Sequence, residues 1–521
     1  MPAPFFTTNP SEFTRLEGLY IFEKDPPGFI SGVSLSTVAV MGQTVRGPVD
    51  TAVEITSPNR FTEVFGGRDY GAGGSLINQV WRFLLNKPFG KVVVVRAAAA
   101  DAVKASLTVE DGVDGTGTAI ARIDASSVGV WGNDINVLVE DASDGNANHW
   151  NLRVNYLGET TLYENLDTTT GNDNLAVVVG DDDARTIDIV KLADGRPANF
   201  STITEADWES KDGAVGTALE DYMALGTTLT AYTSVAGSEG TIAATDYTAS
   251  NRAFDQIKER KNISIVSYAE DTTAFVTAIN VAIATAAAAV SDRVFVTWSG
   301  DHTDNVSDVA TAAALHRSDR IIHCANSPYT LDPETALQIQ VPPVEWMCSI
   351  LSQTDVDIHP GEEATKDYTA GITKLTNEDW VREDYITLRE AGACALERDE
   401  GFLFVSGVTT DLTSGKTEIT RRRMADFLQL SASNRLKFFV KKKNTATNRG
   451  IILGELTAFS QTLKDQERVV EDYVIESDTV NTAATRAQGI EKILWRVRLI
   501  GHMLHLVLET EIGTGVTIES A

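Results

Sequence analysis

Four groups of residues in this 521-residue sequence are of types that could do chemistry. His316, His323 and Cys324 lie near the end of an apolar run, and a cysteine hydrolase uses such residues as base and nucleophile. That chemistry also needs a third group to orient the base, and no neighbouring residues complete a motif. Burial within a sheet is the simpler expectation. Gly66-Gly67 and Gly71-Ala72-Gly73-Gly74-Ser75 precede a helical stretch, where backbone N–H groups can cradle a phosphate. The P-loop lysine and the dinucleotide-binding glycine spacing are both absent, so the glycines read as a turn. Asp111, Asp114, Asp141 and Asp144 sit in glycine-rich loops but lack the alternate spacing of a calcium loop. No cofactor and no metal site is expected. The fourth group is one of charge. From Lys416 to Lys443 there are nine basic residues and two acidic ones, with Arg421, Arg422, Arg423, Lys441, Lys442 and Lys443 in two runs. Two readings stay open: a contact for an acidic protein surface, or a solvated helix face balancing nearby acid.

The rest of the chain is strongly acidic, with 73 Asp and Glu against 44 Lys and Arg and a formal net charge of -29. Such a chain repels nucleic acid and stays soluble at high copy number. Cys324, Cys348 and Cys394 are far apart, which excludes a disulfide framework and fits synthesis in a reducing compartment. The first residues, MPAPFFTTNP, carry no secretory pattern, and no apolar run reaches 18 residues. No membrane association is expected.

Element patterning gives an α+β / α/β multidomain fold, with an α/β core, a β-rich protruding insertion and a C-terminal α+β domain ending in a hairpin. Residues 1–17 read as an arm and 18–96 as a core segment, in which Pro58 to Phe65 is a helix and Lys91 to Arg96 a strand covered on both faces. Residues 97–245 turn rich in Gly, Asp, Thr and Asn around short alternating runs, the pattern of a β-rich, surface-exposed insertion. Strands and helices alternate again over 246–400, which implies parallel pairing with crossover helices. Residues 401–512 read as a C-terminal domain and 513–521 as a second arm.

The stretch Gly489 to Gly513 alternates with period two. Ile493, Trp495, Val497 and Leu499 form one apolar row, and Leu504, Leu506 and Leu508 another, with Gly501 placed for a turn. A lone hairpin is marginal in water. It is either an ordinary sheet closing a domain, or a sheet finished by strands from a neighbour.

Gly18 to Pro48 (GLYIFEKDPPGFISGVSLSTVAVMGQTVRGP) resembles the N-terminal signature of contractile phage tail sheath proteins of the myovirus type. Phe61 to Gly67, the strand VVVVR ending at Arg96, and Gly129-Val130-Trp131-Gly132-Asn133 follow in that family's order. Leu388 to Ala395, Ser406 to Thr410 and Arg421 to Phe427 are similar to later segments, although the family's Trp and Arg are missing from the Ser406 segment. The resemblance implies a non-enzymatic, structural protein of the virion tail, assembled in the host cytoplasm. It implies a homo-oligomer of stacked hexameric rings around a tail tube protein, with baseplate and tail terminator proteins as further partners. Contraction would drive the tube through the host envelope for genome delivery. It also implies β-augmentation between subunits, with Leu19, Tyr20, Ile21, Phe22, Val516 and Ile518 as arm strands and Trp495, Val497, Leu499, Leu504, Leu506 and Leu508 in the receiving sheet. Arg421, Arg422, Arg423, Lys441, Lys442 and Lys443 would touch the tube, which makes 401–512 the polymerisation and tube-facing domain. The alternatives are a headless contractile injection particle and an α/β hydrolytic enzyme using Cys324 and His323.

Overall fold

A computed structural model describes residues 5–6, 20–21, 30–67, 91–112, 117–180, 182–198, 223–226, 234–258, 260–290, 292–331, 336–413 and 415–504. The chain divides into two compact units, Ser34–Arg423 and the pairing of Met1–Val33 with Met424–Ala521. The later boundary falls inside the helix Ile419–Leu436 rather than near residue 400.

The larger unit is built on an eight-stranded sheet. Its order is Phe402–Phe404, Ala393–Arg398, Ile321–Ala325, Val294–Thr297, Ile265–Tyr268, Val38–Gly42, Val92–Arg96, Ala52–Ile55. The six inner strands run parallel and the two outer ones antiparallel. Segments 18–96 and 246–400, separate in sequence, therefore share one sheet. The chain starts at Val38–Gly42, builds outward to Val92–Arg96, and returns to add Ile265–Tyr268 on the opposite side. Every residue of Val38–Gly42, Val92–Arg96 and Ile321–Ala325 is buried, as expected of strands covered on both faces. The helix Pro58–Phe65 starts where Ser57 Oγ accepts the Arg60 N–H at 3.1 Å and Pro58 fills the first turn. It stops at Gly66, whose φ of 85° suits a residue without Cβ.

Between Val92–Arg96 and Ile265–Tyr268 the chain makes two antiparallel four-stranded sheets. One contains Glu159–Asp167, His149–Tyr156, Asn136–Asp141 and Met223–Ala224. The other contains Ile187–Lys191, Ala119–Ala125, Ser106–Glu110 and Ser234–Val235. Leu107, Ile123, Val137, Val139, Trp150 and Leu152 from both sheets share one apolar cluster, distinct from that of the parallel sheet. The insertion thus carries its own core. Its neck is tied by a reciprocal backbone pair, Val103 N–H to Ser238 O at 3.0 Å and Ser238 N–H to Val103 O at 3.1 Å. Thr241 N–H adds a bond to Asp101 Oδ1 at 2.9 Å.

In the smaller unit, the helices Ile419–Leu436 and Ala446–Asp465 are joined by the Phe427–Phe459 contact and the Arg435–Glu455 fork at 2.7 and 3.0 Å. Leu456, Phe459, Ser460 and Leu463 make the buried stripe of the second helix, at helical spacing. Against it lies an antiparallel two-stranded sheet, Val470–Glu476 with Leu494–Leu499.

Candidate functional site

The two-stranded sheet is built so that one face is held and the other is free. Tyr473, Ile475, Trp495 and Val497 share one face in register, and all four are partly buried. Trp495 packs on Phe459 with ring centroids 6.4 Å apart and donates Nε1–H to Ser460 Oγ at 3.0 Å. The Tyr473 hydroxyl donates to Gln461 Oε1 at 3.0 Å. The opposite face carries Asp472, Val474 and Glu476 on one strand and Arg496 and Arg498 on the other. Arg496 pairs with Glu476 at 3.2 Å, and Arg498 with Glu471 at 3.5 Å. The long connection between the strands is clamped. Asn481 Nδ2 donates to Lys492 O at 2.6 Å, and Lys492 N–H returns to Asn481 Oδ1 at 2.8 Å. Arg486 bridges Asp478 and Glu491 across the same loop; the Asp478 pairing raises the guanidinium pKa and holds the Asp478 carboxyl below its usual range. Among the described residues neither strand has a second neighbour, so within them both margins lack a strand partner.

The expected hairpin is corrected at its turn. Leu494–Leu499 pairs with the preceding Val470–Glu476, and from His505 on the stretch expected to pair with it lies outside the described residues. Gly501 makes no turn: the chain passes through Ile500 to Leu504 without bending back, and Gly501 takes no left-handed conformation. Phe438 and Phe439 belong to a short 3-10 turn, Lys437–Phe439, and Phe438 is 57 % exposed. The strand Val470–Glu476 escaped notice because its alternation is broken by a bulge between Val470 and Asp472 and it follows closely on a long helix. Tyr473 and Ile475 against Asp472 and Glu476 were the available signal. Of the other strand-pairing residues, Trp495, Val497 and Leu499 lie in the sheet, and Leu504 lies just beyond it, 40 % exposed. Tyr20 and Ile21 form a short strand parallel to Phe5–Phe6 of the same chain. Leu19, Phe22, Leu506, Leu508, Val516 and Ile518 lie outside the described residues.

The basic stretch separates into buried and free parts. Arg423 is 3 % exposed and donates to Leu351 O at 2.6 Å, which removes it from any surface contact. Arg422 pairs with Asp319 at 3.1 Å, and Arg421 with Glu418 at 3.2 Å. Three consecutive helical residues fan across about 200° of the helix, so one of them must face inward. Lys441, Lys442 and Lys443 are exposed, and Lys442 Nζ stands 3.4 Å over the Phe438 ring.

The catalytic candidates are closed off. His323 and Cys324 lie in the sheet strand Ile321–Ala325, each 1 % exposed. Burial pushes the His323 imidazole down to about 3 and the Cys324 thiol well above its ordinary value. The ring Nδ1 meets Thr297 Oγ1 at 3.2 Å, not a carboxylate. In this arrangement the pair has neither substrate access nor an activated thiolate. Asp111 closes a turn on Thr118 N–H, Asp141 pairs with Arg196, and Asp144 binds Asn146 N–H and the His149 ring. Asp114 and the glycines at 71–74 lie outside the described residues. Among the described residues, no group of three His, Cys, Asp or Glu side chains is placed to hold a metal ion, and no helix is long and apolar enough to cross a membrane.

No family model and no curated protein sequence matches the chain. Solved structures do. The sheath tail protein of Desulfitobacterium hafniense aligns over 93 % of this chain and 100 % of its own, with TM-score 0.56 and 12 % identity. The fold is that of contractile tail sheath proteins. The sheath tail protein of Listeria innocua covers 90 % of this chain and 96 % of its own, with TM-score 0.57 and 12 % identity. The helical sheath of the anti-feeding prophage in its contracted state covers 96 % and 99 %, with TM-score 0.54 and 12 % identity. Within this fold four of the sequence motifs, the Arg46-Gly47-Pro48 turn, Phe61 to Gly67, VVVVR and Gly129 to Asn133, meet at one place, the root of the insertion. Arg96, 1 % exposed, donates to Gly47 O at 3.0 Å, Ser127 Oγ at 3.2 Å and Val128 O at 3.0 Å. Gly47 has φ 104°, and a Cβ there would stand 2.7 Å from the Phe65 ring. The Arg46 guanidinium lies over the rings of Trp131 and Tyr156, at 5.7 and 5.2 Å. Gly132 fits against Ala105 and Ala125, where a Cβ would come within 3.0 Å of both. These four motifs are therefore packing motifs: they fix the insertion to the sheet.

Proposed function

We propose that this chain is the structural subunit of a contractile tail sheath that polymerises around a tail tube and shortens to drive the tube through a cell envelope. The observation that carries the reading is the two-stranded sheet with one face docked and, among the described residues, no further strand at either margin. Two strands alone are marginal in water, and strands from copies of the same chain would complete them. Backbone pairing of that kind can persist while the larger units exchange side-chain contacts, so an extended polymer can be metastable and release free energy on shortening. Stacked hexameric rings, with a baseplate and a terminator at the ends, fit this reading.

The exposed face Phe438, Lys441, Lys442 and Lys443 is the proposed contact for an acidic tube. A contact of this type weakens as salt rises. A phage tail delivering a genome is the first setting we propose. A headless injection particle is the second, favoured by the likeness to the anti-feeding prophage sheath and to the sheath of an extracellular contractile injection system, with TM-score 0.53 and 10 % identity.

The test is negative-stain microscopy of the purified full-length chain at increasing concentration. Rings or tubes are expected. A compact monomer at every concentration, with both termini intact, would defeat the proposal.

A further inference from the structure

One guanidinium at the root of the insertion serves three segments of the larger unit. Arg252 Nη1 pairs with Asp50 Oδ2 at 2.8 Å, and Nη2 with Asp246 Oδ1 at 2.7 Å. Nη2 also donates to Ala98 O, and Nε to Asp246 O at 3.3 Å. Ala98 follows the strand Val92–Arg96, on the limb that leaves the sheet for the insertion. Asp246 lies in the short helix Ala244–Thr248, on the limb that returns. Asp50 belongs to the sheet: its N–H donates to Arg96 O at 3.0 Å, just before the strand Ala52–Ile55. Arg252 therefore ties both limbs to each other and to the sheet.

Two carboxylates share this one cation, where the Asp50, Asp246 and Arg252 side chains are only 16 %, 7 % and 22 % exposed. The cluster thus holds one negative charge more than its cation balances, and burial of such a charge favours proton uptake. Hydrogen bonds decide which carboxylate takes the proton. Asp246 uses both oxygens, Oδ1 on Arg252 and Oδ2 accepting the Ala243 N–H at 2.8 Å. Asp50 has Oδ2 on Arg252, and its buried Oδ1 has no hydrogen-bond partner among the described residues. The other charged groups on the flanking elements are engaged elsewhere. Asp255 pairs with Lys258, Glu270 accepts from Tyr247 and Gln43, and the Arg96 guanidinium, with Glu239 beyond it, serves Gly47, Ser127 and Val128. Burial pushes the Asp50 carboxyl up to about 6, with Arg252 opposing and Asp246 adding to the rise.

We propose that Asp50 is a proton-operated latch at the root of the insertion: ionised, it leaves the root with an unbalanced charge that favours opening; protonated, it still accepts from Arg252 and the charge is gone. The latch goes beyond the sheath reading and does not depend on it, because all its residues lie in one unit of a single chain. The sign follows from linkage. The folded value lies above the ordinary 3.8, so the closed root binds the extra proton. Its stabilisation is complete below pH 3.8 and is lost as pH rises through about 6.

The experiment is hydrogen exchange of the full-length chain, at a concentration where it is monomeric, corrected for intrinsic rates at pH 7 and pH 5. In the native chain the amides of 97–103 and 241–252 should gain about tenfold in protection on going from pH 7 to pH 5. Asp50→Asn removes the charge and keeps an acceptor oxygen, and Asn tolerates the left-handed φ of 51° found at Asp50. The variant should show the higher protection at both pH values, with Val92–Arg96 unchanged. Equal native protection at pH 7 and pH 5 would overturn the proposal even if the variant failed to fold. So would a variant whose limbs respond to pH as the native ones do, since another group would then bind the proton. A variant less protected than the native chain at pH 7 would show that the ionised pair closes the root, which also defeats the latch.

Discussion

Replacing Trp495 by alanine should release the C-terminal sheet while leaving the larger unit folded. The indole packs on Phe459 and gives its N–H to Ser460, whose hydroxyl is fully buried. Removing a fully buried aromatic ring costs about 3–5 kcal/mol. Trp495 is only partly buried, so roughly 2 kcal/mol is the fairer share for the ring. The lost hydrogen bond adds about 1 kcal/mol, because Ser460 is left without its donor. A loss of about 3 kcal/mol is large for two strands that have no other sheet neighbour among the described residues. Hydrogen exchange is the assay. Amides of Val470–Glu476 and Leu494–Leu499 should exchange about a hundredfold faster in the alanine variant. Those of Val92–Arg96 should keep their native rates. Trp495→Phe keeps the ring contact and should accelerate exchange only several-fold. Native exchange rates in the alanine variant would refute the claim that the helix Ala446–Asp465 holds this sheet.

Four further outcomes follow from particular contacts. His323 has a folded-state pKa of about 3 against an ordinary 6.5, so the unfolded chain binds the extra proton between those values. Its contribution is complete above pH 6.5 and is lost toward pH 3 at about 1.4 kcal/mol per pH unit; denaturant midpoints against pH should show a shallower acid slope in His323→Gln. Arg96→Met strands the carbonyls of Gly47 and Val128 and should cost about 3–5 kcal/mol, read as a lower denaturation midpoint for the larger unit. Lys441, Lys442 and Lys443 changed together to Glu should abolish binding to an acidic tube while leaving sheath self-assembly intact, checked by co-sedimentation at low and high salt. Cys324→Ala removes a buried thiol and should lower stability by about 1–2 kcal/mol, measured by denaturant unfolding, without preventing assembly, whereas a hydrolase would lose all turnover.

The parallel sheet was readable because its strands are continuous apolar runs punctuated by glycine and proline. VVVVR at Val92–Arg96 and the runs over 263–268, 294–298 and 320–325 fall where their patterns place them, within a residue or two. Burial on both faces leaves little else for such a run to do. That two segments some 170 residues apart join one sheet was not readable, because pairing order is a property of the folded chain. Short strands such as Met223–Ala224 and Ser234–Val235 carry too few residues to show a period. Around the candidate site the strand Leu494–Leu499 was visible, and its partner was hidden by one bulge. Charge runs were the least informative. Arg421, Arg422 and Arg423 look alike in sequence, yet only packing reveals that Arg423 holds the carbonyl of Leu351 from inside.

The tied neck of the insertion bears on how load travels through the molecule. Val103 and Ser238 are bonded to each other across the gap, so tension entering at one side can pass straight to the other. The two small sheets beyond that point would hang outside the line of force like a pennant on a mast. Residues 105–236 also carry Ser127 and Val128, which accept from Arg96, so it is a chain with Arg96→Met and a short flexible link in their place that should break at the same pulling force as the intact one. A lower rupture force would mean that the insertion carries load. If the forces agree, this part of the protein is free to be exchanged for another domain without weakening the whole.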